Sequence, residues 1–228
     1  MKVSSEFSKY ALLYTSHNII QNRVVEKLLE KVTVKPQSII DVGCGRGAIC
    51  KSIDWEYKDF IGVDFALGML QLHPKSSKIK TLYGDFDDDK LFKKLVNYDC
   101  DYIMSASALQ WSKDLEKVFK NIKALDVPVA LAIFTSNTFK TLNETANLNS
   151  VLHSTKKIKE LQKKYFDADM EIINYELEFE STREMFRYIK QSGVSGSRKV
   201  LDYKQTKSLM NNYPLNYLEF EVAFIHSL

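Results

Sequence analysis

The sequence predicts a single α/β domain in which a mostly parallel sheet carries helices on both faces. Five strand-like runs alternate with helix-like segments between residues 38 and 134, and parallel strands need such crossover connections. Three of the eight glycines stand at positions 43, 45 and 47, directly after the first of these runs. The 228 residues suffice for one sizeable core, whereas two full domains of ordinary size would be cramped.

Hydrophobic spacing and turn residues place the elements of this predicted sheet in order. Residues 1–30 carry Leu, Ile and Val near helical spacing, and the region of Pro36 ends that helix. Short apolar or β-branched runs predict the strands. We expect strands at 38–42, 60–63, 79–83 and 102–104 and within 127–134, with helices at 48–55, 66–72, 88–97 and 115–125.

The last third of the chain has a different order of elements. A lysine-rich helix is expected at 155–166 and a strand at 170–179, where apolar and polar residues alternate. Ser181 and Glu184 have the spacing of a capping box, which predicts a helix that continues to Gln191. A further helix at about 203–211 and an alternating strand at 217–225 close the chain.

Composition excludes several classes of protein. The 32 basic and 29 acidic residues give a net charge of +3 and are spread evenly, unlike the clustered basic face of a nucleic-acid-binding surface. No apolar run approaches the length of a membrane-spanning helix, and the first ten residues lack a secretory signal, so we expect a cytoplasmic protein. Three cysteines and four scattered histidines predict neither a disulfide framework nor a metal site.

The glycine cluster is the strongest candidate for a ligand-binding site. Its pattern is D-x-G-x-G-x-G from Asp41 to Gly47, at a predicted strand-to-helix turn where the backbone can approach a ligand closely. Asp64 ends the second predicted strand, where a carboxylate can accept both hydroxyls of a ribose. Asp85 ends the third strand, where a carboxylate can accept a hydrogen from an adenine amino group. Each acid alone is also a common helix N-cap, but together they lie at successive strand ends on one edge of the sheet.

This set of residues resembles class I S-adenosylmethionine-dependent methyltransferases over about residues 36–136. The resemblance implies a Rossmann-like sheet of seven strands with a small helical cap, and S-adenosylmethionine as the cofactor. It divides the chain into an N-terminal helical lid (1–35), a cofactor-binding core (36–136) and a segment that completes the sheet and caps the substrate (137–228). The cofactor residues that it implies are Asp41, Gly43 and Gly45 at the methionine end, Asp64 at the ribose, Asp85 and Phe86 at the adenine, and Phe65 and Met69 in an apolar wall beside the base.

Four further segments are similar to malonyl-acyl-carrier-protein O-methyltransferases of biotin synthesis. Residues 7–21 resemble an opening F-x-x-x-A-x-x-Y-x-x-H-x-x-x-Q, and residues 105–111 (Ser-Ala-Ser-Ala-Leu-Gln-Trp) resemble S-N-L-A-L-Q-W. Residues 188–194 and 213–217 resemble an L-K-x-x-G-x segment and a y-P-L-T-Y segment. The resemblance therefore extends over nearly the whole chain and implies methylation of a malonyl thioester on acyl carrier protein, by a monomeric enzyme.

Two departures from that pattern bear on the site. Ala106 replaces the Asn of S-N-L, so that a polar contact near the methionine portion is either absent or supplied by Ser105 or Ser107; we assign Ser105 to the cofactor site. Asp126-Val127-Pro128 replaces the Pro-Gly-Gly turn that usually precedes the fifth strand.

The implied reaction requires no catalytic side chain. A malonyl carboxylate has a pKa near ~4 and is ionised at neutral pH, so alignment and exclusion of water remain as the protein's contribution. Arg198 is our candidate for the anchor of the carboxylate because a guanidinium binds carboxylates through two donors, although an exposed surface arginine is the alternative. Tyr14 and His17 are assigned to the substrate site, closing over the cofactor, or else to ordinary helix packing. Gln110 is expected to contact substrate.

The remaining predictions concern Trp111 and the lysine-rich helix. Trp111 is predicted to belong to the core, because large aromatic side chains are mostly buried. Carrier proteins are strongly acidic, so a basic surface would dock them; otherwise the lysines form a solvated face. The predicted docking residues are Lys156, Lys157, Lys159, Lys163 and Lys164.

Three other functions share the cofactor motif. A carboxyl methyltransferase of the trans-aconitate type would need the same carboxylate anchor without a carrier protein. A quinone C-methyltransferase would need a base and an apolar pocket for a prenyl tail. A regulator that binds S-adenosylmethionine without turnover would keep only the fold and the cofactor site.

Overall fold

A computed structural model of the chain describes residues 18–191 and 201–227. Its described strands form one seven-stranded sheet in the order β3-β2-β1-β4-β5-β7-β6. The strands are β1 (Ser38–Val42), β2 (Asp59–Asp64), β3 (Ile79–Tyr83), β4 (Tyr102–Ala106), β5 (Val129–Phe134), β6 (Asp169–Glu178) and β7 (Tyr217–His226).

Helices connect these strands and cover both faces of the sheet. The described α-helices are α1 (Ile19–Glu30), α2 (Ala48–Ser52), α3 (Leu67–Leu72), α4 (Asp89–Leu95), α5 (Leu115–Lys123), α6 (Lys140–Thr145), α7 (Thr155–Tyr165), α8 (Thr182–Gln191) and α9 (Tyr203–Asn212). A 3₁₀ turn, Leu109–Trp111, follows β4. None of the helices in the described ranges is long and apolar enough to cross a membrane.

The sheet topology determines where a ligand can bind. Strands β1 to β5 are parallel, whereas β7 runs antiparallel to both of its neighbours, β5 and β6. Asp41 of β1 is paired in register with Gly62 of β2 on one side and with Met104 of β4 on the other. The chain leaves β1 toward β2 and later returns to place β4 on its other side, so the carboxyl end of β1 is a switch point where open α/β sheets form a crevice.

Alternate side chains of the central strands fill two cores, one on each face. Ile39 of β1 and Met104 of β4 belong to the face that α1 covers with Ile20, Val24 and Leu28. Helices α5 and α7 cover the other face. The described part of the predicted lid is thus a helix whose apolar side is buried against the sheet.

The seven-stranded, mostly parallel sheet predicted from the sequence is confirmed, with differences at helix ends. Helix α2 ends at Ser52 instead of Trp55, because Ile53 is extended and the Trp55 Nε1 donates a hydrogen bond to the carbonyl of Pro36 (3.1 Å). Helix α6 was not predicted. Helix α8 begins as expected, with the hydroxyl of Ser181 accepting a hydrogen bond from the N–H of Glu184 (3.3 Å).

Candidate active site

A cavity opens at the carboxyl ends of the central strands, where the topology places the crevice. Its walls come from α1, the glycine loop (residues 43–47), the ends of β2 and β4 and the segments that follow β2, β3 and β4. The lining residues are Asn18, Gln21, Asn22, Val25, Asp41, Gly43, Cys44, Gly45, Arg46, Ala48, Ile49, Asp64, Phe65, Met69, Phe86, Ala106, Ser107, Ala108 and Trp111.

Two glycines of the loop adopt backbone angles that explain why the sequence uses them. Gly43 and Gly45 have φ angles of +80° and +53°, a region that L-residues rarely occupy. A Cβ atom on Gly43 would lie 2.2 Å from the Cβ of Ala108, whereas a Cβ on Gly45 would have no atom within 4 Å. Gly43 therefore permits close packing of two loops, and Gly45 leaves space in the wall of the cavity.

Asp64 holds the glycine loop in place from the end of β2. Its Oδ2 accepts a hydrogen bond from the N–H of Gly45 (2.9 Å), and its Oδ1 accepts one from the N–H of Ala66 (2.8 Å). Burial raises the pKa of Asp64, although these backbone hydrogen bonds oppose the shift. Each oxygen of this carboxylate retains a second lone pair, which is the acceptor capacity that a ribose diol requires.

Asp41 presents a buried oxygen that has no hydrogen-bond partner. The residue is 2% exposed, its Oδ1 lacks a partner, and it lines the cavity. Burial raises the pKa of Asp41 well above its usual range, and the negative charge of Asp64 raises it further. A positively charged donor in the cavity, such as an α-ammonium group, would satisfy this oxygen and lower the pKa again.

Apolar side chains form the wall next to the end of β2. Phe65, Met69 and Phe86 line the cavity, and the rings of Phe65 and Phe86 meet edge to face with centroids 6.4 Å apart. Asp85 does not line the cavity, and its Oδ1 accepts a hydrogen bond from the N–H of Asp87 (2.9 Å). Its assigned contact with adenine stays a prediction.

The segment after β4 departs most from the sequence-based assignments. The hydroxyl of Ser105 is fully buried and donates a hydrogen bond to the carbonyl of Val42 (2.6 Å), so it joins β4 to β1 and does not line the cavity. The Nε2 of Gln110 donates to the carbonyl of Ser107 (2.7 Å), and Gln110 also lies outside the cavity wall. Trp111 is half-buried and lines the cavity, so the prediction that it belongs to the core is wrong.

Sequence reasoning missed several polar residues in the cavity wall. Asn18, directly before α1, and Gln21 and Asn22 of α1 line the cavity, and oxygens of Asn18 and Gln21 are buried without a partner. Their spacing of three and four residues was the available signal. Ser107 was named only as an alternative to Ser105.

The other predicted substrate residues and the docking lysines lie outside the described residues or away from the cavity. Tyr14, His17 and Arg198 fall outside the described residues. All five predicted docking lysines are exposed on α7. Glu116 of α5 pairs with two of them, Lys164 (2.6 Å) and Lys157 (3.5 Å).

Comparison with known families and folds identifies the class of this domain. Residues 40–134 match the family described as a methyltransferase domain. The YcgJ protein of Bacillus subtilis has a similar fold, with a TM-score of 0.62 at 11% identity over 89% of this chain and 97% of that one. Phosphoethanolamine N-methyltransferase 2 of Haemonchus contortus, solved with S-adenosyl-L-methionine, gives a TM-score of 0.58 at 16% identity over 96% and 56% of the two chains.

Residues 40–134 thus match a methyltransferase domain, and the sheet that carries the glycine-loop cavity has the class I methyltransferase fold. S-adenosylmethionine is the cofactor of this class, and the residues present fit it: Asp41 offers an unsatisfied acceptor for its ammonium group, and Gly45 leaves room beside the loop.

The most informative relatives are malonyl-[acyl-carrier protein] O-methyltransferases. The chain is 30% identical to that of Methylovorus sp. (strain MP688) over 155 residues, which are 63% of this chain and 52% of the relative. It is 24% identical to that of Calditerrivibrio nitroreducens over 225 residues, which are 95% of this chain and 88% of the relative. The chain spans about half the length of the first of these relatives.

Proposed function

We propose that this protein transfers a methyl group from S-adenosylmethionine to the free carboxylate of a malonyl thioester carried by acyl carrier protein. The observation that carries the proposal is the likeness to enzymes of that name, which extends over 95% of this chain in one case and coincides with a cavity suited to the cofactor. The product is a methyl ester that enters the synthesis of the pimeloyl chain of biotin.

The chemistry suits a cavity without an evident general base. When bound, S-adenosylmethionine would supply an electrophilic methyl group on a sulfonium, which an acceptor oxygen could take while the electron pair of the S–C bond returns to sulfur. A carboxylate with a pKa near ~4 needs no deprotonation at neutral pH, and none of the described lining residues is a histidine. The cavity wall therefore acts by orienting two ligands and excluding water.

Asp41 and Asp64 would bind different parts of the cofactor. Asp64 fixes the backbone of Gly45 and has lone pairs left for the ribose hydroxyls. Asp41, buried and unsatisfied at Oδ1, binds the ammonium group. Phe65, Met69 and Phe86 provide the apolar surface on which the adenine lies.

Helix α7 would provide the surface for the carrier protein. Lys156, Lys159 and Lys163 are exposed and form no ion pair among the described residues, whereas Lys157 and Lys164 are partly neutralised by Glu116. Three such cations on one helix favour an acidic partner. The assignment of Arg198 as the carboxylate anchor remains part of this proposal.

A panel of acceptors tests the proposed function. Purified protein and labelled S-adenosylmethionine are incubated with malonyl acyl carrier protein, malonyl-CoA, free malonate or trans-aconitate, and ester formation is measured by mass spectrometry. We expect kcat/KM to be highest for the carrier-linked acceptor. The variant Asp64→Asn, which lacks one acceptor for the glycine loop, serves as the impaired control, and Gln71→Ala, exposed on α3, as the matched surface control.

Other outcomes of the same panel would contradict the proposal. Preferred transfer to trans-aconitate would assign a small-molecule carboxyl methyltransferase. If calorimetry detects binding of S-adenosylhomocysteine but no methyl group is transferred to any of the four acceptors, the result would instead favour a quinone methyltransferase or a regulator.

A further inference from the structure

Ser107 has a backbone conformation that its residue type does not favour. Its φ angle is +59° although it is not a glycine, and such conformations persist only where the surroundings enforce them. Here two hydrogen bonds do so: the N–H of Ser107 donates to the carbonyl of Ala132 (2.9 Å), and its carbonyl accepts from the Nε2 of Gln110 (2.7 Å). The backbone is thus held from both sides.

The side chain that this backbone presents is unsatisfied. The Oγ of Ser107 is buried, has no hydrogen-bond partner, and belongs to a residue that lines the cavity. A buried hydroxyl without a partner is costly. Strained backbone and unsatisfied hydroxyl at the same residue indicate a position shaped for a ligand.

The chemistry of the surrounding wall indicates which ligand. Asp41, Asn18 and Gln21 each present an unsatisfied buried oxygen, and all three line the cavity; these are acceptors suited to the ammonium group of the cofactor. A hydroxyl can also donate, and the second ligand that the proposed reaction requires is a carboxylate, which only accepts.

Among residues 105–107, the lining of the cavity and the hydrogen bonds leave Ser107 as the polar side chain that can face a ligand. Compared with the pattern S-N-L-A-L-Q-W, the polar residue has moved by one position, since Ala106 stands at the Asn and Ser107 at the Leu. The hydroxyl of Ser105 donates its one hydrogen to the carbonyl of Val42, so it has none left to donate to a carboxylate.

From these observations we infer that Ser107 is a substrate-binding residue whose hydroxyl donates a hydrogen bond to the carboxylate of the methyl acceptor. This inference rests on the proposed function, and it assigns a role that is separate from cofactor binding. Loss of the hydroxyl should therefore weaken use of the acceptor and leave the affinity for S-adenosylhomocysteine unchanged.

Three variants at this position test the inference. Ser107→Ala should lower kcat/KM for malonyl acyl carrier protein by about tenfold or more, the effect of one hydrogen bond to a charged group. Asn and Asp both tolerate positive φ, so they form a matched pair. Ser107→Asn, which keeps a donor, should recover part of the activity, whereas Ser107→Asp should be less active than Ser107→Ala because its charge repels the acceptor.

The affinity for S-adenosylhomocysteine, measured by calorimetry, separates this role from a contact with the cofactor. We expect Kd within about twofold of wild type for Ser107→Ala, with thermal unfolding confirming a folded protein and Ser52→Ala, exposed on α2, as control. Weaker S-adenosylhomocysteine binding in Ser107→Ala and tighter binding in Ser107→Asp would overturn the inference, because they would place the hydroxyl at the ammonium. A kcat/KM of Ser107→Ala equal to that of the wild type would also overturn the inference. Inactivity of the wild type toward every carboxylate acceptor would instead overturn the proposed function on which the inference rests.

Discussion

At the scale of single residues, Gly43 and Gly45 share a left-handed backbone but differ in what surrounds them. A side chain at Gly43 would collide with Ala108, whereas one at Gly45 would enter open space at the cavity wall. We therefore expect the first glycine to serve packing and the second to serve binding of the cofactor.

Substituting each glycine with alanine should separate the effect on stability from the effect on cofactor binding. Gly43→Ala is expected to destabilise the protein by about 2–4 kcal/mol through overpacking and strain, and the double variant with Ala108→Gly should recover the packing part. Gly45→Ala should cost only about 1–2 kcal/mol of strain but should raise Kd for S-adenosylhomocysteine at least tenfold. Chemical denaturation and calorimetry measure both quantities, and equal stability losses without any difference in binding would contradict this assignment.

Asp41 couples the stability of the ligand-free protein to pH. Its pKa is raised in the folded state by burial and by Asp64, so the folded state binds a proton more readily than the unfolded state. The contribution of Asp41 to the free energy of unfolding is therefore highest below the ordinary Asp pKa of ~3.9, falls as pH rises toward the raised pKa, and is constant above it.

Asp41→Asn should remove this pH dependence and stabilise the empty protein at neutral pH. We expect its Tm at pH 7 to exceed that of wild type by about 2–4 °C, which corresponds to ~1 kcal/mol for a domain of this size, with the difference vanishing toward pH 4. Binding of S-adenosylhomocysteine should weaken. Asp54→Asn, an exposed carboxylate away from the cavity, provides the control, and a lower Tm for Asp41→Asn would refute this account.

At the scale of elements, α7 is held to the rest of the protein at both ends. Near its start, Glu221 of β7 accepts hydrogen bonds from the hydroxyls of Thr155 (2.5 Å) and Thr135 (2.6 Å). Burial would raise the pKa of Glu221, but these bonds and one from Asn137 outweigh it and hold the pKa below its usual value. Toward its end, Lys164 pairs with Glu116. The three lysines without an ion pair thus stand on a well-positioned helix.

Reversing their charge tests the docking role of α7. Lys156→Glu combined with Lys159→Glu and Lys163→Glu should raise KM for malonyl acyl carrier protein at least tenfold and leave KM for malonyl-CoA nearly unchanged. The wild-type KM for the carrier should also rise with added salt, since exposed charges are screened. A matched control variant replaces Lys90, Lys93 and Lys94, which are exposed on α4, with glutamate. This control should not raise the KM for malonyl acyl carrier protein. An equal rise in KM for the two triple variants would contradict the assignment of α7 as the docking surface.

Elements differed in how well their sequences predicted them. Strand β3 was predicted at both ends, because a turn precedes it and Gly84 follows it. Helix α6 was missed, since Leu142 is its one apolar residue and the segment therefore has no apolar periodicity. The roles of Ser105 and Ser107 were not separable from sequence, because a hydroxyl's direction depends on backbone angles that the residue type does not specify.

At the scale of the whole molecule, the sheet and the core of its cofactor site were predictable for a physical reason. Parallel strands are buried on both faces and leave apolar runs, and glycines mark the loop at the switch point. The cavity wall formed by α1 and the segment after β4 was predicted less well. That wall arises from packing between elements that are distant in sequence. Trp111, for example, lines the same cavity as residues of α1.

The position of β7 has a consequence for how the chain matures on the ribosome. β6 pairs only with β7 within the described sheet, and β7 also supplies the last partner of β5. Until residues 217–226 have left the exit tunnel, two strands expose bare backbone edges to other nascent chains, and Glu221 is absent from the start of α7. Chaperone capture during synthesis would therefore be concentrated in the interval before residues 217–226 emerge.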